Sequence, residues 1–487
     1  MSLFLGLDVG TQGTKGVVLD AEKGCVVARA LVSYGLLEGL GPGACEQHPQ
    51  TWIDAVRSVA AELLDAKGVD AARFEGVGVS GQQHGLVVLD AAGAVVRPAK
   101  LWCDTSTAAE ARELSEAFAS PVPVGFTASK VLWLARHEPE SWKRVRHVLL
   151  PHDYVNFVLT GDACMEAGDA SGTGFFDPRA RTFDEARVAA VAPGLAERLP
   201  SLLANGEAAG RLNADGAALL GLEEGVLVSA GGGDNMMSAV GSGATRPGVV
   251  VVSLGTSGTV FTHADVPVID PAGLIAPFCS SVGGWLPLLC VMNLTGVTEE
   301  VRQAFGEDHG RLTHAARSVP IGCDGLLWLP YLAGERVPDL PEASGTLLGV
   351  RAGHLRAGTL YRAALEGTSL NLAWGVERMR GLGISVEGVH LVGGAAGNEL
   401  WREILADLLG CPVTPLAEPE SAAMGAALQA AWTRRRASGE RVGPDEVAAP
   451  FVRESAAPTE PEVGRAGAYR ELAARFREAV AVLHGAG

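Results

Sequence analysis

Two α/β domains of one shared design are what this sequence predicts. The chain has 487 residues. A single hydrophobic core stops growing at about 250–300 residues, so two domains are expected. Apolar strand-like runs end repeatedly in glycine-rich turns, and helical spacing follows them. Finally, the strand–turn–strand segment Leu5-Gly-Leu-Asp8-Val-Gly10-Thr11-Gln-Gly13-Thr14 returns as Val252-Ser-Leu-Gly255-Thr256-Ser-Gly258-Thr259 near half a chain later. That is a weak internal repeat. A duplicated domain with two phosphate-facing hairpins explains it economically, and two ordinary glycine hairpins explain it too.

The elements follow in order. Leu3 to Leu7, Thr14 to Asp20 and Cys25 to Val32 read as a three-stranded meander. Pro49 opens a helix with Trp52, Ile53, Val56, Val59, Leu63 and Leu64 at helical spacing. Phe74 to Val79 is a buried strand running into Gly81-Gln82-Gln83-His84-Gly85, and a strand pair follows around Asp90 to Gly93. Val226 to Ala230 is a strand ahead of Gly231-Gly-Gly-Asp234-Asn235 and a helix. The chain turns at Thr245-Arg-Pro247-Gly248, which sets the expected domains at 1–246 and 247–487. Val249 to Val252 begins the second domain. Helices are expected at Gly296–Phe305, Leu355–Gly381, Glu399–Leu409 and Ala422–Arg435, with a strand at Val389–Val392. Ser438 to Val463, rich in Ala, Pro, Glu and Gly, predicts a partly ordered surface loop. Ala468 to Leu483 predicts a docked amphipathic helix with Leu472, Phe476, Val480 and Leu483 inward.

Composition excludes several classes. Hydrophobic residues make up 47% and charged residues 20%, a globular balance that rules out wholesale disorder. Net charge is -17, and the one basic run, Arg434 to Arg436, suits a helix C-terminus. A nucleic-acid partner and an anionic membrane face are disfavoured. No 18-residue apolar run offers a membrane span. The opening Met-Ser-Leu-Phe-Leu-Gly-Leu-Asp lacks a basic n-region, which argues against a signal peptide. The 8 cysteines are scattered, without a Cys-x-x-Cys pair or zinc spacing, as expected of reduced thiols in a cytoplasmic protein.

Four strand-end turns can carry chemistry. In Asp8-x-Gly10-Thr11-x-Gly13-Thr14-Lys15, small residues let backbone N–H groups and hydroxyls approach a phosphate chain, and the Asp can hold Mg²⁺ through water. The plain alternative is a hairpin with a capping Asp. In Gly231-Gly-Gly-Asp234-Asn235, the carboxylate is open to a ligand and can accept a hydroxyl proton during phosphoryl transfer. The alternative is a helix N-cap. Gln82, Gln83 and His84 offer amides and an imidazole suited to a neutral polyol, or a structural strand-end histidine. Gly393-Gly394-Ala395-Ala396-Gly397-Asn398 could seat a nucleoside or its α-phosphate. It is neither a Walker loop nor a dinucleotide fingerprint, and no nucleophile elbow occurs in the chain.

Taken together, these turns resemble the sugar-kinase branch of the actin/hexokinase-like ATPases, and within it the FGGY carbohydrate kinases. Gly125-Phe-Thr127-Ala-Ser-Lys130-Val-Leu-Trp133-Leu-Ala-Arg136-His137 is similar to one family signature. Gly345-Thr-Leu-Leu-Gly349-Val, through His354 to Ala364-Leu365-Glu366-Gly367, is similar to the other. The likeness runs from Leu3 to about Ala431. It is strongest to the xylulose-phosphorylating members, through Gly81-Gln-Gln-His-Gly85, Leu149-Leu-Pro151-His152-Asp153-Tyr154, Gly168-Asp169-Ala-Ser171-Gly172-Thr173 and Leu329-Pro330-Tyr331-Leu-Ala-Gly334-Glu335-Arg336. Gln83 stands where many such enzymes have Met, and His152 where Lys is frequent.

The resemblance implies two ribonuclease H-like domains flanking a catalytic cleft, and ATP-dependent phosphorylation of D-xylulose. It makes Asp234 the general base and Gln83, His84 and Asn235 sugar contacts, with Asp104 a further one. Asp8 would organise Mg²⁺, and Thr11 and Thr14 would lie near the phosphates. From the second domain, Gly255 and Thr256 would face the phosphates, and Gly394, Ala395 and Asn398 the nucleoside. Kinases of ribulose or gluconate, and a non-catalytic ATP-binding module, are the alternatives. A homodimer would be in keeping with the family, while the sequence is silent on oligomeric state.

Overall fold

The structure is a computed structural model describing residues 2–485. Its first sheet is built from Leu3–Val9 (β1), Gly13–Asp20 (β2) and Cys25–Ser33 (β3), the expected meander. Both β1 and β2 are buried on their two faces, matching their unbroken apolar runs, whereas β3 alternates at the edge. Pro49–Leu64 (α1) buries Trp52, Ile53, Val56, Val59 and Leu63. Phe74–Gly81 (β4) lies parallel beside β1. The helices Pro151–Thr160 (α2) and Ala167–Ala170 (α3) follow. Ala208–Arg211 (β5), Leu227–Ser229 (β6) and Gly232–Gly233 (β7) complete the sheet, and Asp234–Gly241 (α4) leaves it. The strand order is β5-β6-β4-β1-β2-β3, with β7 continuing alongside β4.

The second sheet takes Gly248–Leu254 (β8), Gly258–Thr262 (β9), Ala276–Cys279 (β10) and Trp285–Val291 (β11). The long helix Ala357–Gly381 (α5) leads to Val386–Val392 (β12), Glu399–Leu409 (α6) and Val413–Pro415 (β13). Ser421–Ala437 (α7) and Ala466–His484 (α8) close the chain. The order here is β10-β11-β9-β8-β12-β13. Strands β3-β2-β1-β4-β6 and β11-β9-β8-β12-β13 therefore share one plan, three antiparallel strands and then two parallel ones. The repeated Gly-Thr turns are corresponding parts of a duplicated sheet, and the reading as unrelated hairpins falls.

A shared core joins the sheets. Phe4, Val17 and Leu19 of the first sheet and Val251, Phe261, Leu286 and Leu288 of the second meet around Met237, Ala423, Ala427 and Leu428 of α4 and α7. Helix α7 follows the second sheet in the chain yet packs on β1 and β4. It comes so close that a Cβ at Gly6 or Gly78 would run into the carbonyls of Ala423 or Ala426.

Three local expectations change. The turn at Asp90–Gly93 forms, but its second arm is a single bridge, Leu89 to Val95, and Val87–Leu89 pairs with His147–Leu149 instead. The 438–463 segment is a packed strap: it holds a helix at Pro444–Ala448, buries Val447, Ala448 and Phe451, and bridges Thr459 to Val413. Its polar composition hid those three apolar anchors. Leu483 is exposed, while Leu472, Phe476 and Val480 are buried as expected. Among the described residues no helix is long and apolar enough to cross a membrane.

Candidate active site

Asp8 sits near the end of β1 opposite Ser80 of β4, whose Oγ donates to Asp8 Oδ1 at 2.7 Å. Burial pushes the Asp8 carboxyl above its usual range, against the pull of Ser80 and Lys15. Lys15 is itself paired with Glu420, the residue before α7, at 2.7 Å. In the following turn the Thr11 hydroxyl donates to Gln82 Oε1 and accepts from Trp102 Nε1, each at 2.9 Å. Thr14 is fully buried and its hydroxyl lies 3.1 Å from the Tyr34 hydroxyl. Tyr34 in turn donates to the Gly10 carbonyl at 2.8 Å, so Thr14 braces the turn from within.

Strand β7 extends the sheet beside β4, with Gly233 paired to Gly81, and delivers Asp234 to the first position of α4. Asp8 and Asp234 thus stand at the carboxyl ends of strands that flank β4 on either side, where ligands bind in open α/β sheets. The N-cap of α4 is Gly233, with no side-chain capping bond, so Asp234 is not retained as a helix cap. Asp234 Oδ1 accepts from the Asn235 backbone N–H at 2.7 Å and from Asn235 Nδ2 at 3.0 Å. Neither bond uses Oδ2. Burial, reinforced by the Asp8 charge, pushes the Asp234 carboxyl up to about 7.

Asn235 Nδ2 also donates to Gln83 Oε1 at 2.8 Å, which joins the two expected sugar motifs. Its neighbour His84 adopts φ 65°, the left-handed region that β-carbon-bearing residues seldom occupy. The ring lies 4.7 Å from Phe126 and 5.7 Å from Phe278, the second from the other half of the chain. Its Nδ1 is buried without a hydrogen-bond partner. Burial, with the cations of Lys130 and Arg336, drives the His84 pKa down to about 3, so the imidazole is neutral. Fully buried Lys130 donates to the carbonyls of Val124, Gly125 and Phe126, which explains the lysine of the first signature segment.

In the other half, Gly255, Thr256, Gly394, Ala395 and Asn398 all line one cavity of about 790 Å³. Asn398 also caps α6, accepting from Trp401 N–H at 3.1 Å and donating to Thr313 Oγ1 at 3.0 Å. The facing wall includes Thr298, His309, Thr313, Arg317 and Tyr361. Sequence reasoning missed that wall, because its residues sit on ordinary amphipathic helices with no glycine signal.

Asp104 needs correction as a substrate contact. It is fully buried, and its carboxylate accepts from Cys45 N–H, Lys100 Nζ, and the N–H and hydroxyl of Ser106. Both oxygens hold the chain together, leaving none for a ligand. Asp169, by contrast, stands out in the sequence only within the Gly168–Thr173 segment, yet its charge acts on Asp234.

The match with known proteins spans both halves. The N-terminal domain of the FGGY family of carbohydrate kinases matches residues 3–241, and its C-terminal domain residues 250–434. A xylulose kinase of Haemophilus influenzae is 38% identical, over 88% of this chain and 90% of its own. One of Streptomyces coelicolor is 39% identical, over 88% and 87%. The crystal structure of xylulose kinase from Rhodospirillum rubrum superposes with a TM-score of 0.89 at 31% identity, covering 99% of each chain. With family models matching both halves and relatives this similar along most of their length, the chain belongs to the FGGY family of carbohydrate kinases.

Proposed function

We propose that this protein transfers the γ-phosphoryl group of ATP to the 5-hydroxyl of D-xylulose. The observation that carries the reading is the junction Gln83–Asn235–Asp234, a polyol-binding amide hydrogen-bonded to the residue that holds the base. The xylulose kinases of similar sequence support the choice of sugar.

In this reading residues 1–246 bind the sugar and residues 247–487 the nucleotide. Gln83, neutral His84 and Asn235 contact hydroxyls of the ketose. Asp234 Oδ2 takes the proton of the attacking hydroxyl, and a carboxyl near 7 is poised for that exchange at neutral pH. Phosphoryl transfer depends chiefly on alignment and charge stabilisation, so a modest base is enough. Gly255 and Thr256 approach the phosphates, and Gly394, Ala395 and Asn398 the nucleoside. Closure of the two halves excludes water, a competing nucleophile.

The donor set also fits Mg²⁺. Burial pushes both Asp8 and Asp234 up in pKa, the Asp8 charge adding to the rise at Asp234, and a cation beside them would favour the ionised carboxylates. Among the described residues no cluster of three or more His, Cys, Asp or Glu forms a ready-made cage, and Mg²⁺ prefers one or two carboxylates with waters and substrate phosphates. Asp8 would hold it, and the ion would supply charge neutralisation at the phosphates.

A coupled ADP-release assay tests this, with Mg-ATP and D-xylulose, ribulose, gluconate, glycerol or no sugar. A large rate with xylulose is the expected result. Preference for another polyol would overturn the assignment of Gln83 and His84. ATP hydrolysis indifferent to sugar would point to a non-catalytic ATP-binding module.

A further inference from the structure

Behind Gln83 and Asp234 lies a second polar cluster that takes no part in the reaction just described. His152, the second residue of α2, is fully buried. Its Nδ1 lies 2.9 Å from Asp169 Oδ2 on α3, and its Nε2 lies 2.9 Å from Asp153 Oδ1. Asp153 is anchored as well, since its Oδ2 accepts from Leu150 N–H at 2.9 Å. A third carboxylate, Glu166, caps α3 by accepting from Gly168 and Asp169 N–H groups. Strand β4 and the Gly231 turn meet His152 through glycine backbone, at Gly81 and Gly231. The charged groups facing the imidazole are therefore Asp153, Asp169 and Glu166. Burial opposes its protonation, but Asp153 and Asp169 outweigh that and hold its pKa well above the ordinary histidine value.

Asp169 has one oxygen on His152. The other, Oδ1, is buried without a close hydrogen bond. It borders the space above Gly233 that Gln83 also borders, and its carboxylate draws on the Gln83 side chain. An ionised carboxylate only accepts hydrogen bonds. It therefore favours the NH₂ end of the Gln83 amide, which also donates to Met236 Sδ at 3.2 Å, and leaves Oε1 to face the other way. Oε1 does face the other way, accepting from Asn235 Nδ2, which also donates to Asp234 Oδ1. The imidazole of His152 is thus linked through Asp169, Gln83 and Asn235 to the Asp234 carboxylate.

We propose that His152 and Asp169 are positioning residues for the sugar end of the site, fixing the Gln83 amide and, through Asn235, the Asp234 carboxylate. The proposal rests on the kinase reading above. A merely structural pair would loosen the fold and affect both substrates alike. A positioning pair acts on the sugar.

The test begins with wild-type turnover of D-xylulose, whose absence would sink the kinase reading itself. It then compares Asp169→Asn, His152→Gln and His152→Lys, each checked for folding by circular dichroism and Tm. Asn at 169 can donate as well as accept, so Gln83 loses its fixed sense. The sugar KM is expected to rise about tenfold, the scale of one lost hydrogen bond to a charged group, with the ATP KM within about twofold. His152→Gln should behave likewise, whereas His152→Lys, which keeps a cation, should hold the sugar KM within about threefold of wild type. Folded Asp169→Asn and His152→Gln proteins with unchanged sugar KM, or with both KM values raised together, overturn the proposal. A readout free of turnover is ¹⁵N-histidine NMR of the full-length protein, the His152 signals being those lost in His152→Gln. Both ring nitrogens protonated at pH 7.5 is expected, and a neutral tautomer overturns the assignment.

Discussion

Gln429 and Gly231 are hydrogen-bonded to each other in both directions. The Gly231 N–H donates to Gln429 Oε1 at 2.8 Å, and Gln429 Nε2 donates to the Gly231 carbonyl at 2.9 Å. Gln429 belongs to α7, 198 residues further along the chain, and is almost fully buried. It also takes the Ser229 hydroxyl and reaches the Ser281 carbonyl of the second half. One carboxamide thus imitates a strand neighbour for the turn that presents Asp234 and ties that turn to both halves.

Gln429→Leu is accordingly expected to damage stability and turnover together. It leaves buried backbone groups unpaired, at about 1–3 kcal/mol each. Differential scanning fluorimetry should show Tm lower by about 4 °C or more, with kcat reduced in the folded fraction. An unchanged Tm would mean that the turn does not depend on α7.

Two glycines should respond in opposite ways. A Cβ at Gly425 would collide with the Met237 carbonyl of α4, whereas at Gly394 it would meet nothing within 4 Å. Gly425→Ala should cost about 1–3 kcal/mol, as overpacking does. Gly394→Ala should leave stability within about 0.5 kcal/mol and raise the KM for ATP. Chemical denaturation and nucleotide titration of the two variants check this, and equal stability would refute the close α4–α7 contact.

Asp234 couples stability to pH. Its folded pKa, about 7, lies well above the ordinary aspartate value of 3.8. The folded state therefore holds the proton that the unfolded chain has released. This contribution to stability is full below about pH 4 and is lost as pH rises through 7. At pH 8 the buried, ionised carboxylate burdens the substrate-free fold. Asp234→Asn should raise Tm at pH 8 by about 2–4 °C and lower kcat at least ~100-fold. A lower Tm at pH 8 with normal turnover would remove Asp234 from both roles.

His84, with its pKa near 3, should not titrate in any working range. His84→Ala is expected to raise the sugar KM by about fivefold to thirtyfold, the range for one or two lost hydrogen bonds, with the ATP KM nearly unchanged. The acid limb of the pH–rate profile should stay in place. A shift of that limb would assign it to the imidazole instead of to Asp234.

Much of this was legible in one dimension. Local patterns determined the meanders, the strand ends and most helices, because apolar periodicity and glycine turns act within a few residues. Glu399–Leu409 forms as expected, and Pro49 does open α1. The same local signals marked Asp8, Asp234, Gln83 and Gly394, since a strand that ends in glycine must present the next side chain. Tertiary structure alone decided what those residues face. Asp104 looked like a ligand contact until Cys45, Lys100 and Ser106 closed around it. His152, which in the sequence only stands where Lys is frequent, gains a partner when Asp169 from another helix meets its ring. The polar strap at 438–463 gained its order from the shared core beneath it. For His152 and the strap the deciding partner lies in a separate element, and for Asp104 the distant Cys45 joins the near neighbours Lys100 and Ser106. Burial then sets the charge state: with water gone, a carboxylate or imidazole keeps only the protonation that its new neighbours can stabilise.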